Sequence, residues 1–291
     1  MLRRALSALA LPLLLSAVAA AQISGGYQDV TVVRVKPEKR AEFDAICKKI
    51  AEANRRAKGY NWTASEVTYG EGNTVYFVSS QASYGDIEKG FDIFNGALMK
   101  AYGQAGAEKI FQDFNNTLVS SRSEIRRRRW ELSANPPADR ADYMKRVGET
   151  RWVRTTAVHV RVGQAMVFES AMKDLKAALE NANPPVANYV SEAVAGQHGT
   201  VFYIVRLVKS LSEFDGAKPL SERMGDEAYQ KYLKAITDSV EGSETILQRL
   251  LPELSNPPEG IISASPDFWT PKPKPAAKPK AAEAAKPEAK Q

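Results

Sequence analysis

A pattern that occurs twice constrains this chain of 291 residues more than any other feature. Three pairs of segments correspond, namely 33–43 (VRVKPEKRAEF) with 158–168 (VHVRVGQAMVF), 65–78 (SEVTYGEGNTVYFV) with 191–204 (SEAVAGQHGTVFYI), and 123–137 (SEIRRRRWELSANPP) with 243–258 (SETILQRLLPELSNPP). A repeat of roughly 120 residues is too long for a solenoid unit and has the size of a small domain. The sequence therefore predicts two copies of one fold in a row.

Residues 1–21 have the pattern of a secretory signal peptide. Arg3 and Arg4 precede an apolar run through Leu15, and three alanines precede Gln22. The run is shorter than the ~20 apolar residues that a membrane-spanning helix needs, although an uncleaved anchor is the alternative. We expect these residues to be removed and the mature protein to be periplasmic or secreted.

The charge of the chain is concentrated at its ends. The formal net charge is +6, and loss of Arg3 and Arg4 leaves +4. The segment 270–291 carries six lysines and two glutamates, which also gives +4, so the body between is near neutral. A neutral body argues against a nucleic-acid partner, because such binding depends on neutralising phosphates.

The carboxyl-terminal residues 259–291 are rich in Pro, Lys and Ala and cannot build an apolar core. We expect a disordered tail there. Its lysines suit contact with an anionic envelope surface, and the alternative is a solubilising segment without a specific partner.

Few residues in the chain suit metal or nucleophilic chemistry. Cys47 is the only cysteine and lies on the apolar stripe of a predicted helix, which favours a buried structural thiol over a nucleophile. With two histidines and one cysteine, we expect no transition-metal site. No nucleotide-binding loop or nucleophile elbow is present in the sequence, so no cofactor is predicted.

Hydrophobic periodicity gives the same order of elements in both copies. In the first copy the pattern predicts strands at 30–36, 62–69, 74–80 and 123–132, with one helix after the first strand and two helices before the last. This β-α-β-β-α-α-β order matches the split β-α-β, or ferredoxin-like, arrangement. The predicted units are a first repeat at 22–137, a linker at 138–152 and a second repeat at 153–258. We expect their two sheets to meet and leave a space between them.

The strand that passes through Pro37 into a helix, the hairpin EVTYGEGNTVYFV and the duplication together resemble the dimeric α+β barrel superfamily of ferredoxin-like domains. That group includes antibiotic-biosynthesis-monooxygenase-like, NIPSNAP-like and EthD-like proteins. The resemblance covers about 30–258 and implies an α+β fold of two tandem ferredoxin-like repeats, forming an intramolecular dimeric α+β barrel and a pseudo-dimer within one chain. Members of the superfamily carry out several reactions, so the resemblance implies no single one.

Strand alternation selects the candidate ligand-binding residues. If Val33, Val35, Val158 and Val160 face the helices, the residues between and after them face the space between the sheets, and these are Arg34, Lys36, His159 and Arg161. On the next strand Glu66 aligns with Glu192. We therefore predict the pairs Arg34 with Glu66 and His159 with Glu192. They would either bind an anionic or enolisable small molecule, with a glutamate as proton acceptor, or form structural ion pairs.

The run of four arginines at 126–129 admits two interpretations. In a strand, Arg126 and Arg128 share one face, and Arg127 and Arg129 share the other. The preferred interpretation is an exposed, charged edge that prevents aggregation. The alternative is an anion-binding rim at one mouth of the barrel.

These observations predict an exported protein that binds a small molecule between its sheets, without an assignable reaction. The alternative is a cofactor-free monooxygenase-like enzyme that acts on a small anionic or enolisable substrate in the same space.

Overall fold

A computed structural model describes residues 26–270 of the chain, which form an α+β fold around one closed antiparallel barrel. Around the barrel the strands follow the order β1-β3-β2-β8-β5-β7-β6-β4. The strands are β1 (Tyr27–Val35), β2 (Thr63–Tyr69), β3 (Thr74–Gln81), β4 (Leu118–Arg128), β5 (Trp152–Val160), β6 (Tyr189–Ala195), β7 (Thr200–Val208) and β8 (Val240–Leu250).

Helices cover the outer face of the barrel and one of its ends. They are α1 (Arg40–Ala57), α2 (Tyr84–Asn116), α3 (Arg140–Glu149), α4 (Ala165–Glu180), α5 (Leu220–Met224), α6 (Asp226–Ser239), α7 (Glu259–Ile262) and α8 (Pro266–Trp269). The two helices predicted before β4 are present as two helical segments of α2, separated at Gly103, where the backbone leaves the helical conformation (φ 69°, ψ 171°). In the described range, no helix combines the length and the apolar character needed to cross a membrane.

The predicted fold class, two tandem ferredoxin-like repeats with a sheet each, is wrong. Strand β2 pairs with β8, as in Ser65 opposite Leu250, and β4 pairs with β6, as in Arg127 opposite Glu192. Hydrogen bonds therefore run from the first half of the chain to the second at both junctions, and a single sheet closes on itself. The physical reason is that a free strand edge leaves backbone groups unpaired, whereas closure removes every edge.

The predicted helix-facing residues lie where alternation puts them. Val33 and Val35 pack with α1 in one core cluster, and Val158 and Val160 pack with α4 in another. Phe43 and Phe168, at corresponding positions of the two helices, and Phe202 on β7 are each at most 1% exposed. Apolar residues of both strands and helices thus form the outer core layer, and the alternate strand residues line the barrel.

One end of the barrel is closed by helices α3, α7 and α8. Val147, Ile261 and Trp269 pack there against Leu250 at the end of β8, and the Trp269 indole donates to the Gly148 carbonyl at 2.8 Å.

The structure differs from the prediction in two segments, the linker and the start of the tail. Helix α3 occupies most of the predicted linker at 138–152. The sequence places the start of an extended tail at residue 259, whereas 259–270 form α7 and α8 with Trp269 buried. The rest of the predicted tail and the predicted signal peptide lie outside the described residues.

Candidate functional site

The two glutamates of the predicted site lie on the outer, helix-facing side of the sheet. Glu66 accepts two hydrogen bonds from the Arg40 guanidinium on α1, one of them at 3.1 Å. Glu192 accepts from Arg127 at 2.8 Å and from Arg129 at 2.7 Å. Neither predicted pair forms, because the glutamates have the strand parity of the helix-facing residues.

The basic members of the predicted site lie at the open end of the barrel or beyond it. Arg34 lines the interior there and pairs with Glu71 at 2.8 Å, and His159 also lines the interior. Lys36 donates to the Asn116 carbonyl at 2.9 Å, and Arg161 is exposed. The structure therefore brings Arg34 and His159 to one end of the barrel, where neither meets its predicted glutamate, and their role in ligand binding stays a prediction.

Two adjoining cavities, of about 250 and 190 Å³, occupy this open end. Both are lined by Tyr76, Arg122, Glu244 and Ile246. Both acidic and basic side chains line these cavities, so the mouth has no single sign of charge.

A buried polar layer lies next to these cavities. Glu124 accepts from Arg126 Nε at 3.0 Å and from the Tyr203 hydroxyl at 2.6 Å, and the Arg126 guanidinium stacks 3.4 Å from the centre of the Tyr203 ring. Burial acts to raise the pKa of Glu124, but Arg126 and its hydrogen-bond donors outweigh burial and hold that pKa below its ordinary value.

The preferred interpretation of the arginine run, an exposed edge, is wrong. Strand β4 has neighbours on both sides, and Arg126 is 4% exposed inside the barrel. The predicted division of faces is confirmed, since Arg127 and Arg129 bond Glu192 on the outer side.

A further cavity, of about 320 Å³, lies between the outer face of the sheet and helices α1 and α2. We call it the apolar pocket. Most of its lining is aromatic or aliphatic, and its members are Asp29, Thr31, Cys47, Ile50, Tyr60, Trp62, Phe77, Ser79, Gly90, Phe91, Phe94, Asn95, Phe111, Phe114 and Asn115.

The aromatic rings of the apolar pocket hold one another in place. The rings of Trp62 and Phe94 meet edge to face with centroids 5.8 Å apart, and Phe94 lies 6.2 Å from Phe111. Trp62 is further fixed by its indole nitrogen, which donates to the Leu254 carbonyl at 2.8 Å. These contacts join Trp62, which lies just before β2, to helix α2 and to the segment after β8, so residues from both halves of the chain fix the pocket wall.

A carboxyl and a phenol form the polar part of the apolar pocket. The Tyr60 hydroxyl donates to Asp29 Oδ2 at 3.1 Å. Burial raises the pKa of Asp29 above its ordinary value, and the hydrogen bond from Tyr60 offsets part of the rise. Burial also raises the pKa of Tyr60 to about 12, so the phenol stays protonated and acts as a donor near neutral pH.

The turn after α1 places Tyr60. Lys58 adopts a left-handed conformation with φ 51°, and the buried Asn54 side chain accepts from the Tyr60 backbone nitrogen at 3.2 Å. Gly90 on α2 lies so close to the Tyr60 ring that a Cβ there would overlap it. Glycine is therefore needed at this position to admit the ring.

Cys47 lines the apolar pocket and is buried, which confirms the structural interpretation of this thiol. Burial raises its pKa, so the thiol is neutral rather than a nucleophilic thiolate. Within residues 26–270, no group of three or more His, Cys, Asp or Glu side chains is placed to hold a metal ion.

Sequence reasoning missed Asp29 and Tyr60. Asp29 carries a signal that could have found it, because it has the same strand parity as Val33 and Val35 and is the one acid on that face of β1. Tyr60 carries none, since its position depends on the turn after α1 and on the approach of Gly90 from a distant helix.

Neither a protein-family model nor a curated protein sequence matches the chain. Solved structures that align with it include an anthrone oxidase-like protein (14% identity, TM-score 0.48, covering 77% of this chain and 91% of that one). Others are a provisionally assigned monooxygenase from Lactobacillus acidophilus (10%, 0.47, 77% and 93%) and a mutant chlorite dismutase from Candidatus Nitrospira defluvii (9%, 0.42, 82% and 96%). At these identities, and with TM-scores below 0.5, the alignments give this chain neither a reaction nor a ligand.

Proposed function

We propose that the protein binds a small, planar aromatic molecule that carries a hydroxyl group, and that it does so in the apolar pocket. The observation that carries this proposal is the single carboxyl–phenol pair, Asp29 with Tyr60, set into an otherwise mostly aromatic cavity of about 320 Å³.

The size and lining of the apolar pocket support a small-molecule ligand. Binding sites for small molecules occupy about 300–1,000 Å³ and combine apolar walls with a few polar groups that fix orientation. Aromatic side chains favour aromatic ligands, because offset and edge-to-face ring contacts add to the gain from burial. Trp62, Phe94 and Phe111 offer such contacts on one side of the cavity.

The carboxyl of Asp29 supports a ligand with a hydrogen-bond donor. Tyr60 occupies Oδ2, and a carboxylate has about four acceptor positions, so a ligand hydroxyl can share the group. A ligand without a donor would leave a partly buried carboxylate desolvated without compensation, which costs binding energy. The site should therefore discriminate in favour of hydroxylated rings.

The barrel interior is a less suitable binding site for such an aromatic ligand than the apolar pocket is. Glu124, Arg126 and Tyr203 fill its middle with a satisfied polar layer, and the open end is divided into smaller, charge-balanced cavities. The proposed ligand site is thus on the outer side of the sheet. Export, supported by the pattern of residues 1–21, is part of the proposal and is checked by sequencing the amino terminus of the mature protein.

Calorimetric titration with phenol, 2-naphthol and 1,5-dihydroxynaphthalene tests the binding proposal. We expect at least one to bind the wild type, and Asp29→Asn to weaken binding about 10- to 100-fold, because a hydrogen bond to a charged group contributes about 1.5–3 kcal/mol. Asp113→Asn is the matched control, since Asp113 lies on α2 outside the pocket and pairs with Lys109. Absence of binding by all three compounds, or equal binding by both variants, would overturn the proposal.

The second candidate is an enzyme that removes a proton from such a ligand, as a cofactor-free oxygenase requires. The observation that favours it is the raised pKa of Asp29, because a stronger base accepts a phenolic proton more readily. Oxygen consumption with the bound phenol tests this candidate. Oxygen consumption by the wild type and its loss in Asp29→Asn would support an enzyme. An unchanged ligand after prolonged incubation in air would show that the protein binds the phenol without converting it.

A further inference from the structure

A smaller cavity, of about 100 Å³, lies inside the barrel between the Glu124 layer and the end closed by α3. Tyr76 and Thr155 line both this cavity and the larger one at the open end, so the two are neighbours. Its lining comes from all eight strands and α3, and its polar members include Gln28, Thr63, Ser65, Arg126, Arg128, Tyr143, Ser191 and Gln248. This cavity is separate from the apolar pocket, which lies on the other face of the sheet.

The charge of this cavity is positive. Two arginines line it, and none of its described lining residues is an aspartate or a glutamate. Arg126 is neutralised by Glu124 in the neighbouring layer. The Arg128 guanidinium instead donates to two neutral hydroxyls, Ser80 Oγ at 2.9 Å and Tyr143 Oη at 2.6 Å. Arg128 is only partly buried, but its described hydrogen-bond partners carry no counter-charge, so it leaves a positive potential in the cavity.

Two buried polar atoms at the cavity lack a hydrogen-bond partner within residues 26–270, namely Arg128 Nε and Ser191 Oγ. Both residues line the cavity, and Ser191 is 3% exposed. Gln248 accepts from Thr155 with its amide oxygen at 3.1 Å, which leaves the amide nitrogen as a further donor. Unpartnered buried donors are rare in folded proteins, and an ordered water or a bound ion is a common partner for them.

We propose that this cavity binds a small monovalent anion of three or four heavy atoms, of the class of formate, bicarbonate or nitrate. Its volume equals that of about three water molecules, at ~30 Å³ each, which excludes a larger anion. Arg128 supplies the charge and an Nε–H donor, and Ser191 supplies a hydroxyl donor. The alternative occupant is water, which satisfies donors but leaves the charge uncompensated.

Thermal unfolding in sodium formate and in sodium gluconate at equal ionic strength tests the site, because both are carboxylates and only formate fits. We expect the wild type to unfold about 2–4 °C higher in saturating formate than in gluconate, since a ligand that binds only the folded state stabilises it. Arg128→Gln should abolish this difference. Arg127→Gln, at the preceding residue of the strand but on the outer face, should retain it. An equal difference in all three proteins, or none in the wild type, would overturn the site.

If Arg128→Gln does not fold, crystals of the wild type grown in bromide provide an independent measurement. We expect an anomalous peak in the cavity within hydrogen-bonding distance of Arg128 Nε and Ser191 Oγ. Ordered water there, with bromide found only on the protein surface, would show that the cavity is hydrated and has no anion site.

Discussion

The Tyr60 hydroxyl donates a hydrogen bond to Asp29 Oδ2 across 3.1 Å, joining the turn after α1 to the first strand of the barrel. The pair places a carboxyl group against the apolar pocket, whose walls are otherwise mostly hydrocarbon. The hydrogen bond from Tyr60 lowers the pKa of Asp29 and burial raises it, so the effect of the hydrogen bond can be measured by removing the hydroxyl.

Tyr60→Phe should raise the pKa of Asp29 further. Burial raises that pKa and the Tyr60 hydrogen bond lowers it, so removing the hydroxyl leaves burial unopposed. Carboxyl carbon-13 chemical shifts, followed through an acid titration of the wild type and the variant, measure the change. A lower Asp29 pKa in Tyr60→Phe would mean that the hydroxyl does not stabilise the carboxylate.

Gly90→Ala should displace the Tyr60 ring and disturb the apolar pocket, since the new Cβ would overlap the ring. We expect a loss of about 1–3 kcal/mol in the free energy of unfolding, typical of overpacking. Gly96→Ala is the control in the same helix, because a Cβ there meets nothing within 4 Å. It should stabilise by up to about 1 kcal/mol through the higher helix propensity of alanine. Equal effects in denaturant titrations would contradict the described approach of Tyr60 to α2.

Glu124→Gln should destabilise the protein by about 3–5 kcal/mol at neutral pH, because it leaves Arg126 buried without a counter-charge. The folded-state pKa of Glu124 is lowered, so its contribution is complete above the unfolded-state pKa and is lost as pH falls through the folded value. The difference in unfolding free energy between wild type and variant should therefore shrink in acid. Glu88→Gln, at an exposed position of α2, should have little effect at any pH. A difference that stays constant down to strongly acidic pH would contradict the ion pair.

Phe43→Ala and Phe168→Ala should each cost about 3–5 kcal/mol, because both rings are at most 1% exposed and their removal leaves a cavity. Val162→Ala, at a position that is 99% exposed, should change stability by less than about 0.5 kcal/mol. Denaturant titration measures all three. A cost below about 1 kcal/mol for either phenylalanine would mean that its helix does not pack as described.

Local pattern predicted most elements of the barrel, because strand alternation and helical periodicity are properties of neighbouring residues. Val33 and Val158 were placed correctly on the helix-facing side for this reason. A barrel was predicted, but as two sheets that meet, and the pairings that make it one closed sheet were not predicted, since Ser65 and Leu250 are far apart in sequence and no local pattern indicates that they pair.

The candidate site was harder to predict than the strands were. Arg34 was assigned the correct face, but its supposed partner Glu66 has the opposite parity and meets Arg40 from α1 instead. Parity alone could have identified Asp29, whereas Tyr60 requires the three-dimensional approach of Gly90. Pairing between side chains depends on packing between distant elements, and the periodicity of one strand does not contain that information.

The central claim is that the apolar pocket, and not the barrel interior, holds an aromatic ligand. A crystal structure of the protein soaked with 2-naphthol tests it most directly. The expected result is planar density among Trp62, Phe94 and Phe111, with the ligand hydroxyl within hydrogen-bonding distance of Asp29. Density at the open end of the barrel beside His159, or an empty pocket at a saturating ligand concentration, would contradict the claim.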